Sequence, residues 1–106
     1  MSAELTVISW RDIPAQVIAR AGRTRARLEL PSRFQVAIDR AAMNAGLFGA
    51  DTYLEEWRRT SRPCSDDLDS EVAAEVEWLV ANHPPEEINR LVANHGHIDA
   101  LDGETP

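Results

Sequence analysis

The sequence predicts an α+β fold: a small N-terminal antiparallel meander of two to three strands packed against about four α-helices. Three observations carry this. Apolar residues alternate with period two up to Leu30, they recur at helical spacing from Phe34 onward, and turn-forming residues punctuate the changes.

Glu4 to Trp10 places Leu5, Val7 and Ser9 on one side and Thr6, Ile8 and Trp10 on the other, with β-branched and aromatic residues prominent, so it reads as a strand. Arg11-Asp12-Ile13-Pro14-Ala15 should stop it, because Asp favours a local side-chain turn and Pro removes a backbone donor. Gln16 to Ala21 admits two readings. As a strand it sets Val17, Ala19 and Ala21 on one face; as a short helix capped by Asp12 it groups Ile13, Val17 and Ala21, and the strand is preferred. Gly22-Arg23-Thr24 then reads as a turn, and Arg25 to Leu30 alternates with Ala26, Leu28 and Leu30 inward and Arg25, Arg27 and Glu29 outward.

Ser32 stands three residues before Gln35, the spacing of a capping box, ahead of an apolar stripe of Phe34, Ala37, Ile38, Ala41, Ala42 and Ala45 that ends at Gly46. A second helix is expected to begin at Asp51 or Thr52 and to bury Tyr53, Leu54 and Trp57. Thr60 to Ser65, with Pro63, reads as a connector. Asp66 or Asp67 can cap a third helix whose Leu68, Val72, Val76, Leu79 and Val80 share a face, and Pro85 suits the first position of a fourth, with Ile88, Leu91 and Val92 inward and Gly96 as its stop. The expected organisation is one domain over residues 4–96 and a disordered acidic tail over 97–106.

The formal net charge is −7, but it is divided unevenly: residues 1–50 carry seven arginines against four acids, and residues 51–106 carry four against fourteen. That total argues against general affinity for nucleic acid or an anionic membrane, since phosphate binding needs a concentrated basic surface. A local basic face survives the objection, and Arg20, Arg23, Arg25 and Arg27 straddle one tight turn where they suit carboxylate or phosphate partners. The competing reading pairs them with the chain's own acidic helices. Trp10, Arg11, Asp12 and Gln16 lie in the adjoining restrained segment, where a rigid scaffold would let a loop carry recognition.

Other chemistry finds little purchase. His83, His95, His97 and Cys64 are the only soft ligands, and their spacing matches no closed zinc site, so no metal or other cofactor is expected. Asp66 and Asp67 beside Cys64 disfavour a thiolate, so it reads as an unreactive loop cysteine. The acid pairs Glu55-Glu56, Asp66-Asp67 and Glu86-Glu87 fit helix starts and solvated faces, and no catalytic residue is assigned. One cysteine, the absence of a long apolar run and an N-terminus unlike a secretory signal set the expected location as the cytoplasm.

Val7-Ile8-Ser9-Trp10-Arg11-Asp12-Ile13-Pro14-Ala15-Gln16-Val17 resembles the opening of the small bacterial family labelled "virulence factor" domain. Arg33-Phe34-Gln35, Ala37 through Met43, and Tyr53-Leu54-Glu55-Glu56-Trp57-Arg58-Arg59 fit the same pattern. The resemblance implies a domain that occurs alone or attached to proteins with HEAT repeats and an iron–sulfur-scaffold-like module, and it supplies no catalytic residues. For free-standing members it also implies gene neighbourhoods of folate- and corrinoid-dependent methyl transfer. The leading expectation is therefore a non-catalytic cytoplasmic accessory or adaptor protein that binds another protein, of methyl-transfer or iron–sulfur type, through Trp10, Arg11, Asp12, Gln16, Arg20, Arg23 and Arg25. The alternative is a small enzyme or enzyme subunit of one-carbon metabolism that holds a polyanionic ligand. The oligomeric state is left open.

Overall fold

The computed structural model describes residues 3–47 and 50–97. Strands β1 (Ala3–Trp10), β2 (Ile13–Ala21) and β3 (Thr24–Glu29) are followed by helices α1 (Ser32–Asn44) and α2 (Ala50–Leu54), strand β4 (Trp57–Cys64), and helices α3 (Leu68–Asn82) and α4 (Pro85–Ala93). The four strands form one antiparallel sheet in the order β3-β2-β1-β4. The α+β class holds. The expected two or three strands become four, and the helices are three full ones, α1, α3 and α4, with α2 a single turn of five residues.

β2 begins earlier than expected, at Ile13, and contains Pro14. The sheet tolerates this because the register between β1 and β2 slips at Ile8/Ser9: Ile8 faces Gln16, Ser9 faces Pro14, and Ala15 is left over as a bulge. Its carbonyl is taken up from the other side, by the Leu30 amide at 3.0 Å. The turn before β2 is only Arg11-Asp12, with Arg11 at φ 52, so the anticipated loop is a tight hairpin connection.

β4 is the largest correction. Trp57 was expected on a helix and Thr60 to Ser65 as a connector, yet Trp57 pairs with Trp10 and the run continues to Cys64 opposite Ala3. As an outer strand it buries little, and six of its eight residues are exposed, so no apolar alternation marks it. Pro63 is tolerated because one flank of an edge strand needs no donor. Leu54, expected to be buried, is 59% exposed at the end of α2.

The helix faces follow the sequence pattern. Phe34, Ala37, Ile38, Ala41 and Ala42 of α1, Leu68, Val72 and Leu79 of α3, and Ile88, Leu91 and Val92 of α4 are buried, and Val76 and Val80 are partly so. The α1 capping box does not form. Pro31 occupies the cap, Ser32 is already helical, and the Gln35 amide donates to Asp39 at 3.1 Å. The Thr52 cap and the tail from residue 98 lie outside the described residues.

Pairing register assigns the faces of the sheet, because residues directly opposite share one. Ala3, Leu5 and Val7 with Val17 and Ala19 form the core face, across which α3 packs. Leu28 joins this face opposite Val17, but β3 is the other outer strand and it stays 41% exposed. The opposite parity contains Glu4, Thr6, Ile8 and Trp10. At its Trp10 end, Tyr53 of α2 stacks on the indole at 5.7 Å and the segment after α4 closes over it. Among the described residues no helix covers the rest of that face. Among the described residues no helix is long and apolar enough to cross a membrane.

Candidate functional site

Three rows of side chains cross the open face from β3 to β4. Arg25, Arg20, Glu4 and Pro63 form the first, Arg27, Ile18, Thr6 and Ser61 the second, and Glu29, Gln16, Ile8 and Arg59 the third. Arg20, Arg25, Arg27 and Arg59 are all exposed, and Arg23 stands at the Gly22 turn beside them. None of these five guanidinium groups makes a hydrogen bond or ion pair with another described residue. The face therefore concentrates unpaired guanidinium groups on a chain of net charge −7.

Other arginines are occupied. Arg11 donates to Glu56 at 3.0 Å and to the His95 carbonyl at 2.8 Å while lying over the Trp10 ring at 5.0 Å. Arg58 lies 3.8 Å from Asp12, Arg62 is 2.9 Å from Glu75, and Arg33 donates to the His83 carbonyl at 2.9 Å. The division is informative: arginines that join elements have partners, and those on the open face have none among the described residues.

The residues singled out from sequence separate accordingly. Trp10 is 0% exposed, with its Nε1 donating to the Tyr53 carbonyl at 2.9 Å, so it belongs to the core and presents nothing to a partner. Arg11 fastens the β1–β2 turn to α4's end, and the Asp12 amide donates to the Gly96 carbonyl at 2.8 Å. Both serve the fold. Arg20 and Arg25 are brought together with Gln16 on the open face, and Arg23 sits at its edge. Arg27, read from sequence as part of the basic turn, joins them there; Arg59, Ile8 and Trp57 were missed, and the signal for the β4 members was weak: only the spacing of Arg59, Ser61 and Pro63 at every second residue hints at a strand.

Gln16 is the unusual member. Its side-chain oxygen is buried and accepts no hydrogen bond from a described residue. Two clefts meet at it, both walled by Trp57. One of about 550 Å³ extends past Glu29 and Leu30 to Ser32 and Gln35 of α1, and another of about 430 Å³ extends over Ile8 to Arg58 and Arg59. Tyr53, edge-on to Trp57 at 6.0 Å, supports that wall, and burial pushes its phenol pKa up.

Cys64 ends β4. Burial first, then the carboxylates of Glu71, Asp66 and Glu4, raise its thiol pKa against the opposing effect of Arg62. A protonated thiol is a poor nucleophile. Among the described residues no three His, Cys, Asp or Glu side chains are grouped so as to hold a metal ion.

The fold and the face together define a class: a small α+β protein whose four-stranded sheet is covered on one side and displays on the other arginines that have no partner among the described residues. A family model described as virulence factor matches residues 8–92, most of the chain, and the protein belongs to that family. No curated protein and no solved structure matches it.

Proposed function

We propose that this chain is a non-catalytic accessory protein that holds another protein against the open face of its sheet. The observation that supports this reading is the cluster of Arg20, Arg25 and Arg27 on β2 and β3, with Arg59 across the same face on β4, all exposed and without carboxylate partners among the described residues. Guanidinium groups in such an array favour carboxylate-bearing partners, with bidentate hydrogen bonds that fix orientation as well as charge. Trp10 and Arg11 have no part in the contact, because the core and the α4 junction use them.

Capture from native extract with the full chain as bait tests the reading. Arg25→Glu combined with Arg27→Glu should abolish recovery of a defined partner, whereas Arg40→Glu, which changes an exposed arginine of α1 instead, should leave it intact. Recovery insensitive to the β3 charges would retire the arginine face. Saturable calorimetric heat with folates or nucleotides, in the absence of protein partner, would instead favour the polyanionic-ligand alternative.

A further inference from the structure

The third row across the open face changes character from strand to strand: a carboxylate at Glu29, a buried acceptor at Gln16, an apolar floor at Ile8, and a cation at Arg59. We propose that this row reads a mixed-charge extended peptide segment of the partner, with a cationic N–H donor over Glu29 and Gln16, an apolar side chain over Ile8 and Trp57, and a carboxylate on Arg59. The inference rests on the partner-binding reading above and specifies what that partner presents.

Three features converge on it. The Gln16 oxygen is sealed from bulk water and has no donor among the described residues, a state that normally carries a free-energy penalty; Gln16 itself is only partly buried, and turning its amide toward the cleft would let an arriving donor relieve that penalty. The two clefts on either side of Gln16 share that residue and the partly buried Trp57, so one ligand can run through both. Glu29 and Arg59 are exposed and make no ion pair with a described residue, which leaves the strip with opposite unsatisfied charges at its ends.

Dimensions fit a peptide. Neighbouring strands lie about 4.8 Å apart, so the backbones at Glu29 and Arg59, three steps apart, are separated by about 14 Å. An extended chain rises about 3.4 Å per residue and points its first, third and fifth side chains to the same side, so that these span about 14 Å as well. The pattern sought is therefore basic, any, apolar, any, acidic. A uniformly acidic segment satisfies Arg59 but places a carboxylate against Glu29 and offers Gln16 no charged donor.

The test uses the full chain and two capped, fluorescein-tagged peptides, Lys-Ser-Leu-Ser-Asp and Asp-Ser-Leu-Ser-Asp, followed by fluorescence polarisation. The mixed peptide should bind about tenfold more tightly, the scale of satisfying a buried acceptor with a charged donor. Gln16→Leu should erase most of that advantage. Glu29→Arg, on an exposed outer strand where folding is not at stake, should invert the preference. Equal binding, preference for the acidic peptide, no binding of either, or an unchanged order in Glu29→Arg would each overturn the strip. The two readings fail separately: partner capture lost with Arg25→Glu and Arg27→Glu but no mixed-peptide preference leaves the arginine face standing alone, and capture indifferent to those arginines removes the face whatever the peptides do.

Discussion

Gly96→Ala should be the most damaging glycine-to-alanine change among the described residues, because Gly96 joins the end of α4 to the hairpin that positions Gln16. Its φ is +89°, and a methyl added there would stand 3.1 Å from Cζ3 of Trp10 and 3.3 Å from Cβ of Arg11. The indole has nowhere to retreat: it is 0% exposed, stacked on Tyr53 and held by its Nε1 hydrogen bond. A left-handed backbone costs alanine about 1–2 kcal/mol, and overpacking a fixed aromatic ring costs about 1–3 kcal/mol. Reduced entropy of the unfolded chain returns about 0.4–1 kcal/mol. The net loss is about 2–3 kcal/mol, which for a domain of this size lowers Tm by about 10–20 °C. Gly22→Ala is the internal control, since Gly22 also has positive φ, +59°, but nothing lies within 4 Å of the added methyl. It should cost about 1 kcal/mol, the backbone part alone. Urea denaturation of both variants decides the matter: if Gly96→Ala is no worse than Gly22→Ala, the α4 end is not packed on Trp10 and the account of the hairpin anchor is wrong.

Arg25 stands directly opposite Arg20, a like-charge pair that weakens a sheet, so Arg25→Thr should raise stability by about 0.5 kcal/mol in urea while lowering partner capture; a loss of stability would make Arg25 a structural residue. Glu71 accepts hydrogen bonds from the Ser65 side chain and amide, which hold its carboxyl pKa below the ordinary 4.5. A depressed folded pKa means the unfolded chain takes up the proton first on acidification, so this contribution is present above pH 4.5 and is lost as pH falls through the folded value. The stability gap between wild type and Glu71→Gln should accordingly be widest near neutrality and close in acid; a gap independent of pH would contradict it. Cys64, with its thiol pKa raised above 9.0, should be alkylated slowly at neutral pH and faster in Glu71→Gln, and a neutral-pH rate matching that of a small free thiol would refute the effect of its surroundings.

What the sequence disclosed depended on whether a residue's neighbours were local. The stripe from Phe34 to Ala42 reads directly as a helix because its periodicity lies within one element, and the α4 face of Ile88, Leu91 and Val92 behaves likewise. β4 was opaque for the opposite reason: its partner, β1, lies 47 to 61 residues away along the chain, and an exposed outer strand bearing Arg58, Arg59 and Arg62 has no hydrophobic alternation to reveal it. Trp10 misled because strand parity assigns it to the open face, and only the return of α2 and the α4 end buries it. Gln16 was chosen as part of a recognition loop, but its sealed oxygen and its place beside Ile8 follow from the bulge at Ala15, a cross-strand property with no local signature.

The acidity of the chain and its basic face are reconciled by topology. Asp66, Asp67, Asp69 and Glu77 are exposed at or along α3, and α3 packs on the core face of the sheet, so these carboxylates and the open-face arginines lie on opposite sides of it. Glu71 and Glu75, the α3 acids turned toward the sheet, are engaged by Ser65 and Arg62 at the β4 edge and reach no further. At physiological ionic strength charges are screened beyond about 8 Å, less than the thickness of a sheet with a helix upon it. An anion approaching the open face therefore meets the local arginines, modified by Glu4 and Glu29, and is largely shielded from the acidic helices behind. Folding cannot bring those acids to the arginines without breaking the packing of Leu68, Val72 and Leu79, so the acids of α3 supply no countercharge to the open face.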